Sequence, residues 1–147
     1  MQKITAELLG SGRILLDGKQ VNLPFKQAEA LVYYLHVEKE TFRPKLADII
    51  WGDSADEHKV QSNMRNAIYV IRREFGRDFL VGASKNVIQI NPEIRIDLDI
   101  DRFNDKNLTD FSFYAGDFLE NFYLKDNEYY NEWLLNNRQH YRGLLQE

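Results

Sequence analysis

The sequence predicts an α+β fold in which a small antiparallel sheet precedes three helices, a β-hairpin follows them, and a short all-α extension ends the chain. Three observations predict it. Asp17-Gly18 lies between two short apolar runs, as in a tight hairpin turn whose residues need positive φ. Three segments between residues 25 and 75 carry apolar residues at helical spacing. Two further apolar runs, residues 79–81 and 87–90, flank a polar loop as hairpin strands do.

The first 23 residues are expected to form the small sheet. Residues 4–9 are predicted to be one strand, which Gly10-Ser-Gly12 ends. Residues 13–16 and 20–23 are predicted to pair around Asp17-Gly18-Lys19.

Two helices are expected next, at residues 25–37 and 44–51. Pro24 precedes the first, where proline is tolerated, and Gly52 ends the second. Residues 41–43 are predicted to be an extended link between them. The apolar residues that these helices would bury are Ala28, Leu31, Val32, Leu35, Leu46, Ile49, Ile50 and Trp51.

The third helix, residues 57–75, has the strongest pattern in the chain. Ser54 or Asp56 is expected to cap its start, and Gly76 to end it. Its apolar stripe consists of Val60, Met64, Ala67, Ile68, Ile71 and Phe75. The opposite face carries amides, hydroxyls and arginines, with no acid between Glu57 and Glu74. Because Asn and Gln pair with adenine and Arg pairs with guanine, this face suits a DNA groove. A solvated polar helix is the alternative.

The charge distribution favours nucleic-acid binding by one part of the chain. The chain has a net charge of −4, but residues 1–98 hold 14 basic and 13 acidic residues, whereas residues 99–147 hold 5 and 10. The positive charge concentrates between residues 58 and 77, where Glu74 is the one acid among five basic residues. The acidic remainder suggests a second domain.

The last third of the chain changes in character. Residues 95–97 are expected to return as an edge strand, and Asp99 or Asp101 to cap a short helix carrying Phe103. Residues 127–145 form an amphipathic helix whose apolar face is too large to leave in water. We expect that face to fold back on the preceding domain or to pair between chains.

The composition argues against several functions. The chain contains no cysteine, and its three histidines are not at ligand spacing. Neither a P-loop nor a dinucleotide-binding glycine motif occurs, and Asp97, Asp99 and Asp101 lack the glycine and glutamate of an EF-hand. We therefore expect no catalytic residue, metal or cofactor, and no enzyme. No membrane-spanning run or signal peptide is visible, which favours a cytoplasmic protein without a membrane partner.

The element order describes a winged helix-turn-helix, and three sequence runs resemble a known family. They are LLDGKQVNLPFKQAEALVYYL, LADIIWGD with Trp51-Gly52-Asp53, and NMRNAIYVIRREFG. The chain resembles the OmpR/PhoB-type winged-helix DNA-binding domain of SARP-type bacterial transcriptional activators. Asp99-Ile-Asp-Arg-Phe103, Tyr114-Ala-Gly-Asp-Phe-Leu119 and, further on, Glu132-Trp133 and Arg138 resemble the start of their helical bacterial transcriptional activator domain. One departure is Asn86-Val-Ile88, where the family often has a Gly-Tyr pair in the wing.

The resemblance implies two domains, a DNA-binding winged helix at residues 1–98 and the beginning of a helical activator domain at 99–147. Since such helical arrays need several repeats to bury their faces, we expect a fragment of a longer protein. The resemblance further implies an activator of transcription that binds double-stranded DNA, self-associates head to tail on direct repeats and contacts RNA polymerase.

Nine residues are the candidates for DNA contact. Helix 57–75 is expected in the major groove, and the wing, residues 79–90, on the adjacent backbone or minor groove. Asn63, Asn66 and Tyr69 are the base-edge candidates, with Ser62 on the same polar surface. Lys59, Arg65 and Arg73 are expected to contact phosphates, and Lys85 and Asn86 to project from the wing tip. For Arg72, an ion pair inside the domain and a DNA contact remain equally open.

A second hypothesis concerns a different class of function. The winged helix could be a protein–protein interaction module in a signalling regulator, with the aromatic C-terminal helices as its docking surface. The two hypotheses differ in their response to salt, since DNA binding weakens steeply with salt and apolar docking does not.

Overall fold

The computed structural model describes residues 3–52, 54 and 56–146, and it has the predicted α+β architecture. Asp53, in the Trp51-Gly52-Asp53 motif, lies outside the described residues. The strands and helices are, in chain order, β1 (Lys3–Glu7), β2 (Arg13–Leu16), β3 (Lys19–Gln20), α1 (Lys26–Glu38), β4 (Glu40–Phe42), α2 (Arg43–Trp51), α3 (Glu57–Phe75), β5 (Leu80–Ser84), β6 (Val87–Ile90), β7 (Arg95–Leu98) and α4 (Glu128–Leu145), with a 3₁₀ helix at Asp99–Asn104.

The chain divides into two compact units. We call Met1–Val21, Arg95–Tyr123 and Asn131–Glu147 the sheet unit, and Asn22–Ile94 with Leu124–Tyr130 the three-helix unit.

The sheet unit contains a four-stranded sheet in the order β3-β2-β1-β7. The predicted hairpin turn is confirmed, because Asp17 and Gly18 have φ of 50° and 86°. The strand predicted at residues 20–23 is wrong in extent: β3 ends at Gln20. The edge strand predicted at 95–97 is present as β7, which pairs with β1 in parallel, Ile4 opposite Ile96.

The short helix carrying Phe103 is present, but the prediction that Asp99 or Asp101 caps it is wrong. The 3₁₀ helix begins without a side-chain cap. The Asp99 carboxylate instead accepts hydrogen bonds from the backbone N–H groups of Leu8 and Leu9, at 3.0 and 2.9 Å. Burial raises the pKa of Asp99, and these N–H groups oppose that shift. The aspartate therefore stabilises the end of β1, where the two N–H groups have no strand partner.

The apolar face of α4 is covered within the sheet unit, as expected of a surface too large for water. The Trp133 and Tyr141 rings lie 5.6 and 5.5 Å from the ring of Phe118. The Arg138 guanidinium donates to the carbonyls of Phe118, Leu119 and Phe122 at 2.8, 2.6 and 3.0 Å. One side chain thus holds the loop before α4 against the helix.

The three-helix unit packs α1, α2 and α3 around a core that includes Leu31, Leu46, Met64 and Ile71, each at most 2% exposed. The extended link predicted at residues 41–43 is present as β4, which ends at Phe42 and pairs with β6, and Arg43 already begins α2. This unit also includes the first turn of α4, whose Tyr130 hydroxyl donates to the Ala30 carbonyl of α1 at 2.8 Å.

Because His36 is a buried titratable group, we expect it to make the stability of this unit dependent on pH. Its side chain is 1% exposed, Nδ1 lies 2.8 Å from the Val32 carbonyl, and Nε2 has no partner among the described residues. Burial, with a smaller effect of Lys39, lowers the pKa of His36 from 6.5 to about 4. The unfolded chain therefore binds a proton between these two pH values that the folded chain does not bind.

We expect the contribution of His36 to the free energy of unfolding to fall as the pH drops from 6.5 to 4, by up to about 3 kcal/mol, and to be constant above pH 6.5. Denaturant unfolding at several pH values measures this. Because His36→Leu removes the group, the variant should lose that part of the pH dependence. An identical pH profile in the variant would contradict the assignment.

Candidate nucleic-acid interface

Helix α3 begins and ends at the residues predicted from the sequence. Asp56 caps its start by accepting a hydrogen bond from the Lys59 backbone N–H at 3.2 Å. Gly76 ends it with φ of 110°, a conformation that side chains disfavour, and its N–H donates to the Arg72 carbonyl at 2.9 Å. The predicted apolar stripe is buried, together with Val70.

The opposite face of α3 is open to solvent. Tyr69 is 63% exposed, and Asn66 lies one turn before it on the same surface. Asn63 is half-buried, since it lies at the flank of this surface rather than at its centre. The other candidates on this helix are exposed: Lys59, Ser62, Arg65 and Arg73. The structure therefore brings six of the seven helical candidates to one accessible face.

Arg73 and Tyr69 support each other on this face. The guanidinium carbon of Arg73 lies 6.0 Å from the centroid of the Tyr69 ring, a cation–π distance. Arg73 also approaches Glu74 at 3.5 Å, but both side chains are largely exposed, so this ion pair contributes little. The positive charge of Arg73 remains available at the surface.

Beside this face lies a cleft of about 490 Å³, which we call the arginine cleft. Arg43, at the start of α2, and Arg77, just beyond α3, reach the cleft from outside the helix. The full lining is Arg43, Arg65, Ile68, Tyr69, Arg72, Arg73 and Arg77.

Sequence reasoning did not include Arg43 or Arg77 among the site residues. Arg77 belongs to the positive run noted between residues 58 and 77, so a signal for it was present. Arg43 has no such signal, because its place depends on how α2 packs beside α3. The Arg43 backbone N–H also donates to the Asn86 carbonyl of the wing at 2.7 Å.

Arg72 has a structural partner, although not the acid that the sequence suggested. Its Nη2 donates to the backbone carbonyl of Leu80 at 2.9 Å, which ties the end of α3 to β5. Since a carbonyl is neutral, the contact leaves the positive charge of Arg72 uncompensated in the arginine cleft.

The wing differs from the prediction in its turn. Strand β5 extends to Ser84 with a register shift between Gly82 and Ser84, so Lys85 and Asn86 alone form the turn to β6. The longer loop predicted at 82–86 is therefore wrong. Asn86 has φ of 65°, which asparagine tolerates better than most residues. Lys85 and Asn86 are both exposed at the wing tip, as predicted.

We also searched the described residues for a metal site and for a membrane-spanning helix. Within residues 3–52, 54 and 56–146, no group of three histidine or acidic side chains is placed to hold a metal ion. Among the helices described, none has both the length and the apolar content that crossing a bilayer requires.

Together the three helices, the hairpin after them and the N-terminal sheet define an α+β winged-helix protein. The fold is similar to a solved structure of EmbR from Mycobacterium tuberculosis in complex with a low-affinity phosphopeptide. The match has a TM-score of 0.56 and 16% sequence identity, and it covers 70% of this chain and 28% of that chain. No protein family and no curated protein matches the sequence.

Proposed function

We propose that this chain is the sequence-specific, duplex-DNA-binding part of a transcriptional regulator of the activator type. Helix α3 lies in the major groove, and the wing contacts the adjacent backbone or minor groove. The observation that carries the proposal is the accessible face of α3: it presents amide, hydroxyl and guanidinium groups on a helix whose other face is fixed in the core.

The residues divide by the chemistry they offer. We assign the contacts with base edges to Asn66 and Tyr69, which are exposed, and to Asn63 at the flank of the same surface. Lys59, Arg65 and Arg73 neutralise phosphates, joined by Ser62 as a neutral donor. Lys85 extends the positive surface at the wing tip, next to Asn86.

The local charge supports an anionic partner even though the whole chain has a net charge of −4. Five arginines from α2, α3 and the turn after α3 line the arginine cleft. Because the Debye length is about 8 Å at physiological salt, a ligand at this face responds mainly to the charges that lie next to it, and these are arginines.

The burial of aromatic residues argues against the alternative function, a protein-docking module. Phe118, Tyr130 and Tyr141 are at most 7% exposed, so the aromatic residues that suggested docking serve the chain's own packing. The large exposed apolar residues of this region are Phe111, Tyr123, Tyr129 and Leu135. A steep loss of DNA affinity between about 50 and 200 mM salt distinguishes a phosphate partner from an apolar one.

The resemblance to SARP-type activators adds finer proposals. Residues 1–98 are the DNA-binding domain, residues 99–147 begin a helical activator domain, and the whole regulator contacts RNA polymerase in the bacterial cytoplasm. Head-to-tail self-association on direct repeats would appear as repeated half-sites of one orientation in the selected DNA.

Selection of bound sequences from random duplex DNA tests the proposal directly. We expect a defined motif, and we expect Asn63→Ala combined with Asn66→Ala to weaken binding to it and relax the preference at about two base pairs, by about 1–3 kcal/mol each. Asn136→Ala, on the exposed side of α4, is the matched control. If the double variant retained both affinity and motif, these asparagines would not contact bases.

A further inference from the structure

The arginine cleft concentrates one residue type in one place. Five of the ten arginines of the chain line it, supplied by α2, by α3 and by the turn after α3. No lysine and no acid lines it among the described residues. An ordinary solvated surface mixes both signs of charge, and a mixture would be expected here in a chain with 23 acidic residues.

The five charges are poorly compensated. Arg72 donates to a neutral carbonyl, and the partner of Arg73 is a surface carboxylate at 3.5 Å. No described carboxylate lies within ion-pair distance of Arg43, Arg65 or Arg77. Since like charges in one cleft repel each other, an anion that enters it relieves this repulsion.

The residue type and the shape indicate which anion fits. Arginine presents a planar fork that binds phosphate oxygens in pairs, which lysine cannot do. A volume of about 490 Å³ lies within the range of small-molecule sites, and Ile68 and Tyr69 add an apolar wall. Arg65 and Arg72 stand seven positions apart on α3, roughly 10 Å along the axis, so their charges are spread along a line. A chain of phosphates matches this spread better than a single phosphate.

We propose that the arginine cleft binds the phosphate chain of a soluble oligophosphate, either inorganic or carried by a nucleotide. The proposed ligand is a small molecule that enters the cleft, and so the proposal goes beyond the DNA-binding function. One consequence rests on that proposed function: Arg65 and Arg73 would serve both ligands, so the oligophosphate would compete with DNA for α3.

Titration calorimetry of the whole chain with sodium triphosphate, in metal-free buffer at constant ionic strength, tests the proposal. We expect saturable binding of one triphosphate per chain. Arg43→Gln with Arg77→Gln should weaken it roughly 100-fold, because each lost charge-assisted contact is worth roughly tenfold. Lys45→Gln with Arg95→Gln removes two exposed charges outside the cleft and should change the affinity by roughly twofold or less.

Titrations with two nucleotides distinguish an inorganic oligophosphate from the phosphate chain of a nucleotide. Adenosine triphosphate should bind at least as tightly as triphosphate, and a clear gain would indicate a nucleotide as the natural source. Adenosine monophosphate should bind roughly tenfold or more weakly, since it reaches fewer arginines. The proposal is overturned if triphosphate shows no saturable binding, if both double variants weaken it equally, or if the monophosphate binds as tightly as triphosphate.

The titration contains no DNA, so it can succeed or fail independently of the experiment that tests DNA binding. A chain that selects a DNA motif but ignores triphosphate loses this inference alone. A chain that binds triphosphate but no duplex keeps the inference and loses the transcriptional role. Thermal unfolding of both double variants checks that the substitutions leave the fold intact, which matters most for Arg43 because it is half-buried.

Discussion

Asn66→Glu is expected to weaken binding to the selected duplex by about 100-fold or more while the chain stays folded. Asn66 is exposed on the accessible face of α3, one turn before Tyr69. A carboxylate at this position would face the negative potential of the groove, and like-charge juxtaposition at an interface costs several kcal/mol. Since every 1.4 kcal/mol is tenfold in affinity, a loss of this size follows from about 3 kcal/mol.

Asn136→Glu is the matched control for this substitution. It makes the same change of residue at an exposed position of a helix, but on α4. Fluorescence anisotropy with the selected duplex measures both variants, and circular dichroism compares their folds. If Asn66→Glu bound DNA as tightly as Asn136→Glu did, α3 could not lie in the groove by this face.

Asn127→Ala is expected to destabilise the three-helix unit by about 3 kcal/mol and to lower its melting temperature by about 10 °C. Asn127 is 5% exposed. Its amide nitrogen donates to the carbonyls of Ile49 and Ile50 at 2.9 and 3.0 Å, and its amide oxygen accepts from the Tyr130 N–H at 3.0 Å. Alanine would leave carbonyls near the end of α2 and an N–H at the start of α4 without this partner.

Two further variants separate the roles of the Asn127 amide. Asn127→Ser retains an oxygen that can cap α4 but loses the donors to α2, so we expect about half of the alanine effect. Asn127→Asp also retains the cap, but it sets a negative charge against two carbonyl oxygens and should be at least as destabilising as alanine. Thermal melts followed by circular dichroism rank the three, and an alanine variant that melts within about 2 °C of the parent would contradict the assigned bonds.

Elements with local determinants were predictable from the sequence. Helix α3 has an apolar stripe, a capping aspartate and a terminating glycine within one contiguous segment, and both its ends were predicted correctly. The Asp17-Gly18 turn was predictable for the same reason, since the two residues need only their own backbone conformation. The exposed side of α3 followed from the same periodicity.

Features that depend on distant partners were not predictable in this way. Asp99 looked like a helix cap because its sequence neighbours suggest one, whereas its partners are 90 and 91 residues away. Arg43 joins the arginine cleft only because α2 packs beside α3, and Asn127 was not singled out although it bonds to residues 77 and 78 positions earlier. Contacts between residues so far apart cannot be read from the local pattern of a single sequence.

The parallel pairing of β1 with β7 has a consequence for the kinetics of folding. Strand β1 completes its sheet with residues 95–98, so this pair joins segments far apart in the chain, and the entropy lost in bringing them together slows folding. The β2–β3 hairpin joins neighbouring segments and can form at once, whereas the outer edge of the sheet must await residues 95–98. During synthesis on the ribosome, β1 therefore emerges with one side unsatisfied and stays exposed to wrong partners until β7 arrives.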